Sequence, residues 1–321
     1  MRFLIVGAGA LGGYYGGMLL KGGADVTFLV RPRRAAQLAE RGLTIKEADN
    51  TFTTSVRTVQ AGALGGPYDV VFLACKAYDL DGAITDFAPA LVADGAVLPV
   101  LNGINHLAVL TDRLGANRVL GGVAWFSAVL TADGEIAIPG AVTTGRISFG
   151  ELTGERSPRC ERIDAALRAG GIASTLLDDV IAEMWAKFCG LASAAAISTL
   201  TRGKTGDIAA APAGAGFVDA TLDECARVTT AEGYPPPAAV LDMYRRAYSR
   251  IGTAIAPSIL LDVENGRPTE GEHIIGDLVR RADRLGVQVP ILRAALCNLQ
   301  VYEAAIAREC SSDARGTAKS R

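Results

Sequence analysis

Residues 1–17, MRFLIVGAGALGGYYGG, decide the architecture. Phe3–Val6 is a short apolar run of strand character that passes straight into glycine. Gly7-Ala8-Gly9-Ala10-Leu11-Gly12 spells G-x-G-x-x-G between that strand and a helix expected over Ala10–Leu20. In this setting Gly7 makes the tight turn and Gly9 lets bare backbone approach a pyrophosphate. Gly12 lets helix and strand pack closely, and the helix N-terminus faces the anion. All six residues are therefore candidate dinucleotide-binding positions. The alternative is a glycine-rich turn that serves packing alone.

Outward from this stretch the text keeps alternating. Asp25–Val30 reads as a second strand, followed by a helix near Arg34–Glu40. LTIKEADNTFTTSV (43–56) alternates like a hairpin insert. Tyr68–Cys75 is a continuous apolar run, as in a parallel strand buried on both faces. A helix is expected over Leu80–Val92 and a strand and turn over Ala96–Gly103. This β-α-β order predicts an α/β Rossmann domain, a doubly wound parallel sheet. After Gly115, RVLGGVAWFSAVL, EIAIPG and GRISFGE read as antiparallel additions, and Ser157–Ala169 as a helix. From Asp179 onward the text is helical. We expect a dinucleotide-binding domain over 1–175, an all-α C-terminal domain over 176–307, and a flexible tail over 308–321.

The totals agree with two domains. The chain has 321 residues, half of them hydrophobic and 21% charged, so it can bury large cores. A net charge of −2 gives no footprint for nucleic acid or an anionic membrane. Six scattered cysteines without a C-x-x-C pair, and only two histidines, argue against a disulfide framework and a metal site. No leader is read before the first strand and no window is expected to span a bilayer, which points to a cytoplasmic protein. The apolar faces of the helical half are compatible with a homodimer and equally with a monomer.

The second strand ends FLVRPRR. Arg31 stands where an acidic residue would bind the ribose 2′-hydroxyl of NAD, and Arg33 and Arg34 follow. Guanidinium groups suit a 2′-phosphate, so NADP (NADPH) is the expected cofactor, against the alternative of a solvated basic turn. RGKTGD (202–207) resembles the end of a P-loop, but Ser198 stands where its first glycine would be.

Taken in order, VGAGALGGYYG (6–16), LVR ending at Arg31, CKAYD (75–79), LNGI (101–104), MWAKF (184–188) and APSILLDVENGRPTE (256–270) resemble the ketopantoate reductase (2-dehydropantoate 2-reductase) family over nearly the whole chain. The resemblance implies hydride transfer from NADPH to a 2-keto acid, with substrate held between the two domains. It implies that Lys187 is the proton donor, and that Lys76 and Asn102 lie at the end of the cofactor, Asn102 also near substrate. Ser258 and Glu270 then correspond to the family's Ser and Glu near substrate and nicotinamide. An ammonium beside the carbonyl stabilises the charge that hydride attack builds on oxygen, and supplies the proton.

Each residue also has a plainer reading. Lys187 could pair with Glu183 one turn earlier. Lys76 could be a strand-end lysine, and Asn102 an Asn-Gly turn. Ser258 could be a helix cap after Pro257, and Glu270 a helix-start carboxylate. The sequence departs from the family where asparagines hold the substrate. Leu191 and Ala195 stand one and two turns after Lys187, and Thr205 stands for a third asparagine. Asp79 stands where a glutamine near the cofactor phosphates is usual. Three readings follow: a reductase of ketopantoate in pantothenate synthesis, a same-fold reductase of a more apolar 2-keto acid, or a non-catalytic NADP(H) sensor.

Overall fold

In the computed structural model, which describes residues 1–47, 50–126, 128–138 and 145–318, the alternation of the first half becomes regular elements. They run β1 (Arg2–Val6), α1 (Ala10–Lys21), β2 (Asp25–Leu29), α2 (Pro32–Arg41), β3 (Leu43–Glu47), β4 (Asn50–Thr54), β5 (Arg57–Val59), β6 (Tyr68–Leu73), α3 (Leu80–Phe87), β7 (Leu91–Pro99) and α4 (Asn105–Leu114). β8 (Leu120–Trp125), β9 (Val129–Leu130), β10 (Ile136–Ala137), β11 (Arg146–Glu151), α5 (Pro158–Ala169) and β12 (Ala173–Leu176) follow. Of the stretches quoted above, Ala48, Asp49, Ser127, Pro139 and Gly140 lie outside the described residues, as do 319–321 of the tail.

β5, β2, β1, β6 and β7 form one parallel sheet in that order. The chain builds outward from β1 through β2 to β5, then returns to the other side of β1 with β6. That reversal leaves a crevice at the carboxyl ends of β1 and β6, the place where open α/β sheets bind ligands. The hairpin insert is β3 and β4, antiparallel, and β10 extends it by pairing parallel to β3. β8 and β11 pair antiparallel, with β12 added parallel to β11.

The helix expected to reach Val92 stops at Phe87, a 3-10 turn covers Ala88–Ala90, and β7 starts at Leu91. Pro89 supplies no N–H to continue the helix. β7 pairs Leu91 with Tyr68 and Ala96 with Val70, so residues 92–95 bulge outward and mask the strand's true start.

The glycines of α1 continue past the motif because the helix lies almost backbone-on-sheet. A Cβ on Gly16 would stand 2.5 Å from the Phe28 ring and 2.9 Å from Ile5. Tyr14 and Tyr15, both fully buried, anchor the same helix: the Tyr14 hydroxyl accepts from the Gly145 amide at 2.8 Å, and the Tyr15 hydroxyl donates to the Arg146 carbonyl at 3.1 Å.

The chain divides into two compact units, Met1–Met184 and Trp185–Arg321, with the division inside α6 (Val180–Thr201). The second unit continues with α7 (Thr205–Ala210), α8 (Gly214–Ala231), α9 (Ala238–Ala247), α10 (Ser258–Glu264), a π-helical turn (Glu272–Gly276), α11 (Asp277–Leu285) and α12 (Pro290–Ala318). The segment expected to be a tail from Arg308 is helical as far as Ala318. A core of Ala194, Ile197, Ile208, Val218, Leu222 and Tyr248 gathers α6 to α9. The expectation that no segment could cross a bilayer is corrected here: α6 is long and apolar enough, yet 72% of its apolar window is buried inside the protein. Its composition is that of a helix surrounded by other helices.

Gly16→Ala gains helix propensity worth up to about 1 kcal/mol but drives a methyl into Phe28 and Ile5. Overpacking costs about 1–3 kcal/mol, so urea unfolding should show a net loss of stability. Gly9→Ala, whose Cβ meets nothing within 4 Å, should unfold within about 0.5 kcal/mol of the parent.

Candidate active site

The first unit carries the glycine loop at the head of the crevice. Gly7 has φ +91°, and its position is tight: a Cβ would sit 3.2 Å from the Ala74 carbonyl oxygen beyond β6. At Gly12 a Cβ would fall 2.0 Å from the Gly7 carbonyl oxygen, so only glycine closes this turn. At Gly9 the same construction meets open space, which leaves the backbone free to face a ligand. Ala10 and Leu11 open α1, whose N-terminal amides point at that space. These are the properties a dinucleotide pyrophosphate requires, so the loop fits such a group.

The basic run after β2 separates into different tasks. Arg31 precedes α2 and is exposed; its guanidinium reaches the Asp79 carboxylate at 2.5 Å. Arg33 is exposed as well. Arg34 turns inward. Its Nε donates to the Ala8 carbonyl of the glycine loop at 2.9 Å, and one terminal nitrogen donates to the Gly134 carbonyl at 2.8 Å. Its other terminal nitrogen is buried with no hydrogen-bond partner among the described residues. Burial lowers its pKa. Arg34 thus braces the loop from behind. Nothing in the sequence distinguishes it from its neighbours, because the acceptor at Gly134 lies 100 residues away.

Lys76 and Asn102 leave the carboxyl ends of adjacent strands. Lys76 precedes the 3-10 turn Ala77–Asp79 that delivers Asp79 to Arg31. Asn102 stands in the turn after β7, beside Gly103 at φ +80°. Both are half-buried. The loop, Lys76 and Asn102 therefore share one end of one sheet, because parallel strands place all their carboxyl ends on the same side.

The second unit carries the remaining candidates. Lys187, Leu191 and Ala195 follow at four-residue spacing along one face of α6. Burial pushes the Lys187 ammonium down to about 8. The Glu183 carboxylate, the alternative partner of this lysine, accepts from the Trp125 indole N–H at 2.7 Å. Around Lys187 the helix is fixed by aromatic packing. Trp185 stacks on Tyr234 at 5.3 Å, and Arg281 lies 4.9 Å from its ring centre. The Tyr244 ring occupies the space where a side chain on Gly190 would stand. Leu191 is half-buried, whereas Ala195 is only 1% exposed and joins the helix core.

Thr205 is buried, with its hydroxyl 2.8 Å from that of Thr253 and its amide donating to the Ile255 carbonyl. It fastens the start of α7. Ser258 is exposed as the first residue of α10, whose N-cap is Pro257, so the cap alternative for Ser258 falls away. Glu270 is buried at the entrance to the π-helical turn.

Residues 3–154 match the family model Ketopantoate reductase PanE/ApbA, and residues 179–303 match its companion, Ketopantoate reductase PanE/ApbA C terminal. The chain is 36% identical over 304 residues to "Uncharacterized oxidoreductase YkpB" of Bacillus subtilis (strain 168), covering 95% of this chain and 99% of that protein. It is similar to the crystal structure of 2-dehydropantoate 2-reductase from Geobacter metallireducens GS-15, with a TM-score of 0.85 and 29% identity over 94% of this chain and 99% of that one. D-mandelate dehydrogenase, solved with NADH and anilino(oxo)acetate, shares the fold at a TM-score of 0.87 and 21% identity, over 95% and 99% of the two chains. With both halves matched and the fold shared end to end, the chain belongs to the ketopantoate reductase family of oxidoreductases.

Proposed function

We propose that the protein reduces 2-dehydropantoate (ketopantoate) to pantoate with NADPH, a step of pantothenate synthesis. The observation that carries this reading is Lys187, half-buried on α6, with partial burial lowering its pKa to about 8. A nicotinamide dinucleotide, when bound, supplies the hydride to the carbonyl carbon. The glycine loop and the α1 N-terminus hold the pyrophosphate, with Lys76 and Asn102 as further contacts. The Lys187 ammonium donates its proton to the carbonyl oxygen as negative charge builds there, and the neutral amine recovers a proton from water. Ser258 and Glu270 orient the keto acid and the nicotinamide end.

One observation favours a second reading. Leu191 and the buried Ala195 offer no hydrogen bond one and two turns from the lysine. A substrate hydroxyl placed there would be unpaired, whereas an alkyl or aryl side chain would not. The D-mandelate dehydrogenase that shares this fold was solved with an aryl-bearing oxoacetate. The discriminating measurement is kcat/KM for ketopantoate against branched-chain and aromatic 2-keto acids, read from NADPH absorbance. A ketopantoate optimum supports the first reading, and an aromatic or branched-chain optimum the second. Cofactor binding without turnover of any of them would leave the sensor.

The lysine makes a pH prediction with a definite sign. Burial disfavours the charged form, so the acid needed for reduction is present below about 8 and lost above it. Then kcat/KM for reduction should be flat on the acid side and fall above that point, while the reverse oxidation rises through it. Lys187→Ala should lower reduction by roughly 10²–10⁴-fold and leave NADPH binding, measured by fluorescence titration, in place.

Arg31 and Asp79 generate a further expectation. A 2′-phosphate reaching Arg31 meets the Asp79 carboxylate at the same guanidinium. Two like charges a few ångströms apart in water cost about 1 kcal/mol. Asp79→Asn should therefore lower KM for NADPH by roughly three- to fivefold at low salt, leave KM for NADH unchanged, and lose its effect as salt screens the pair. Equal shifts for both cofactors would show that Asp79 does not read the 2′ position.

A further inference from the structure

Glu270 stands in a turn that α12 holds from the outside. The residue before it, Thr269, donates twice to a single oxygen of Glu303: the amide at 2.6 Å and the hydroxyl at 2.7 Å. The same hydroxyl accepts from the Gly271 amide at 3.2 Å, so it braces the residue after Glu270 too. Tyr302 donates to the Arg267 carbonyl at 2.9 Å, and Gln300 donates to the Glu272 carboxylate at 2.6 Å. Leu299 packs where a side chain on Gly271 would stand. Thr269 and Glu270 are both buried, so the turn cannot exchange these bonds freely with water.

α12 is itself held in register. The buried Glu224 carboxylate accepts from the Ile291 and Leu292 amides, both at 3.0 Å, at the helix start. Asn298 donates to the Thr199 carbonyl of α6 at 3.2 Å. The arm that grips the Glu270 turn is thereby tied to the helix that carries Lys187.

We infer that Glu303 is a positioning residue for the reaction, fixing the Thr269–Gly271 backbone so that Glu270 presents its carboxylate in one orientation. The inference rests on the role proposed above for Glu270. A carboxylate is suited to this task. It accepts from two donors of one residue at charge-assisted distances, which restrains that residue's backbone and its χ1 together. Glu303 also lies 34 residues from Thr269, so a helix formed late in the chain sets the geometry of an earlier turn.

The test is a double-mutant cycle on the full chain, read as kcat/KM with NADPH and ketopantoate and as the NADPH dissociation constant from fluorescence titration. Glu303→Ala should cost about tenfold or more in these readouts, and Glu303→Gln, whose amide oxygen still accepts both bonds, should restore most of it. In a Glu270→Ala background, Glu303→Ala should cost nothing further. Thr269→Val removes only the hydroxyl bonds and carries the same comparison if Glu303→Ala does not fold. Parental behaviour of Glu303→Ala, or the same loss with and without Glu270, would overturn the inference while leaving the role of Glu270 standing. A silent Glu270→Ala would instead remove the role of Glu270, and the inference with it.

Discussion

The approach of Gly12 to Gly7 is the constraint from which the first unit follows. A methyl at Gly12 would lie 2.0 Å from a carbonyl oxygen, so α1 begins in near contact with the turn that precedes it. That contact aims the α1 amides into the crevice between β1 and β6. It also brings the helix so close to the sheet that Gly16 and Gly17 must stay bare against Phe28 and Ile45. The loop is then braced rather than merely short: Arg34 holds the Ala8 carbonyl and anchors itself on Gly134 in the insert. A burial cost is accepted at the guanidinium in exchange for a fixed loop, and pre-organised binding sites are built in this way.

What the sequence shows of this follows from how local the cause is. The glycine loop, the strand alternation and the basic turn are written in contiguous residues, and each was legible. Pairings that join distant segments were not. β10 lies beside β3 because Ile136 meets Ile45, and no local pattern states it. β12, four residues long, carries too little periodicity to announce itself. β7 hid its first residues behind a bulge. Arg34 and Arg31 look equivalent in FLVRPRR and are placed differently, since one faces the loop backbone and the other solvent and Asp79.

The same distinction applies to the second unit. Lys187, Ser258 and Glu270 stand out in the sequence only through the family resemblance, and their spacing along the chain says little about their surroundings. Thr205 and Ala195, read as substrate positions, are engaged in the helical core, Thr205 with Thr253 and Ala195 by burial. Leu191 is the member of this face that keeps partial exposure. The face beyond the lysine is therefore apolar and offers little hydrogen bonding.

The apolarity of α6 explains its lysine as well. A helix with the composition of a membrane span can be stable in water only if other helices surround it, and α7, α8 and α9 do so. A lysine on such a helix loses part of its hydration, which favours the neutral amine and brings its proton to about 8. An exposed lysine with its proton near 10.5 is a poor proton donor at neutral pH, because the ideal acid titrates near the working pH. The packing that builds the second unit thus also lowers the pKa of Lys187. Replacing core alanines of α6 with polar residues should disturb both together, and that coupling separates a lysine whose pKa is set by the helix core from one that merely lies on its surface.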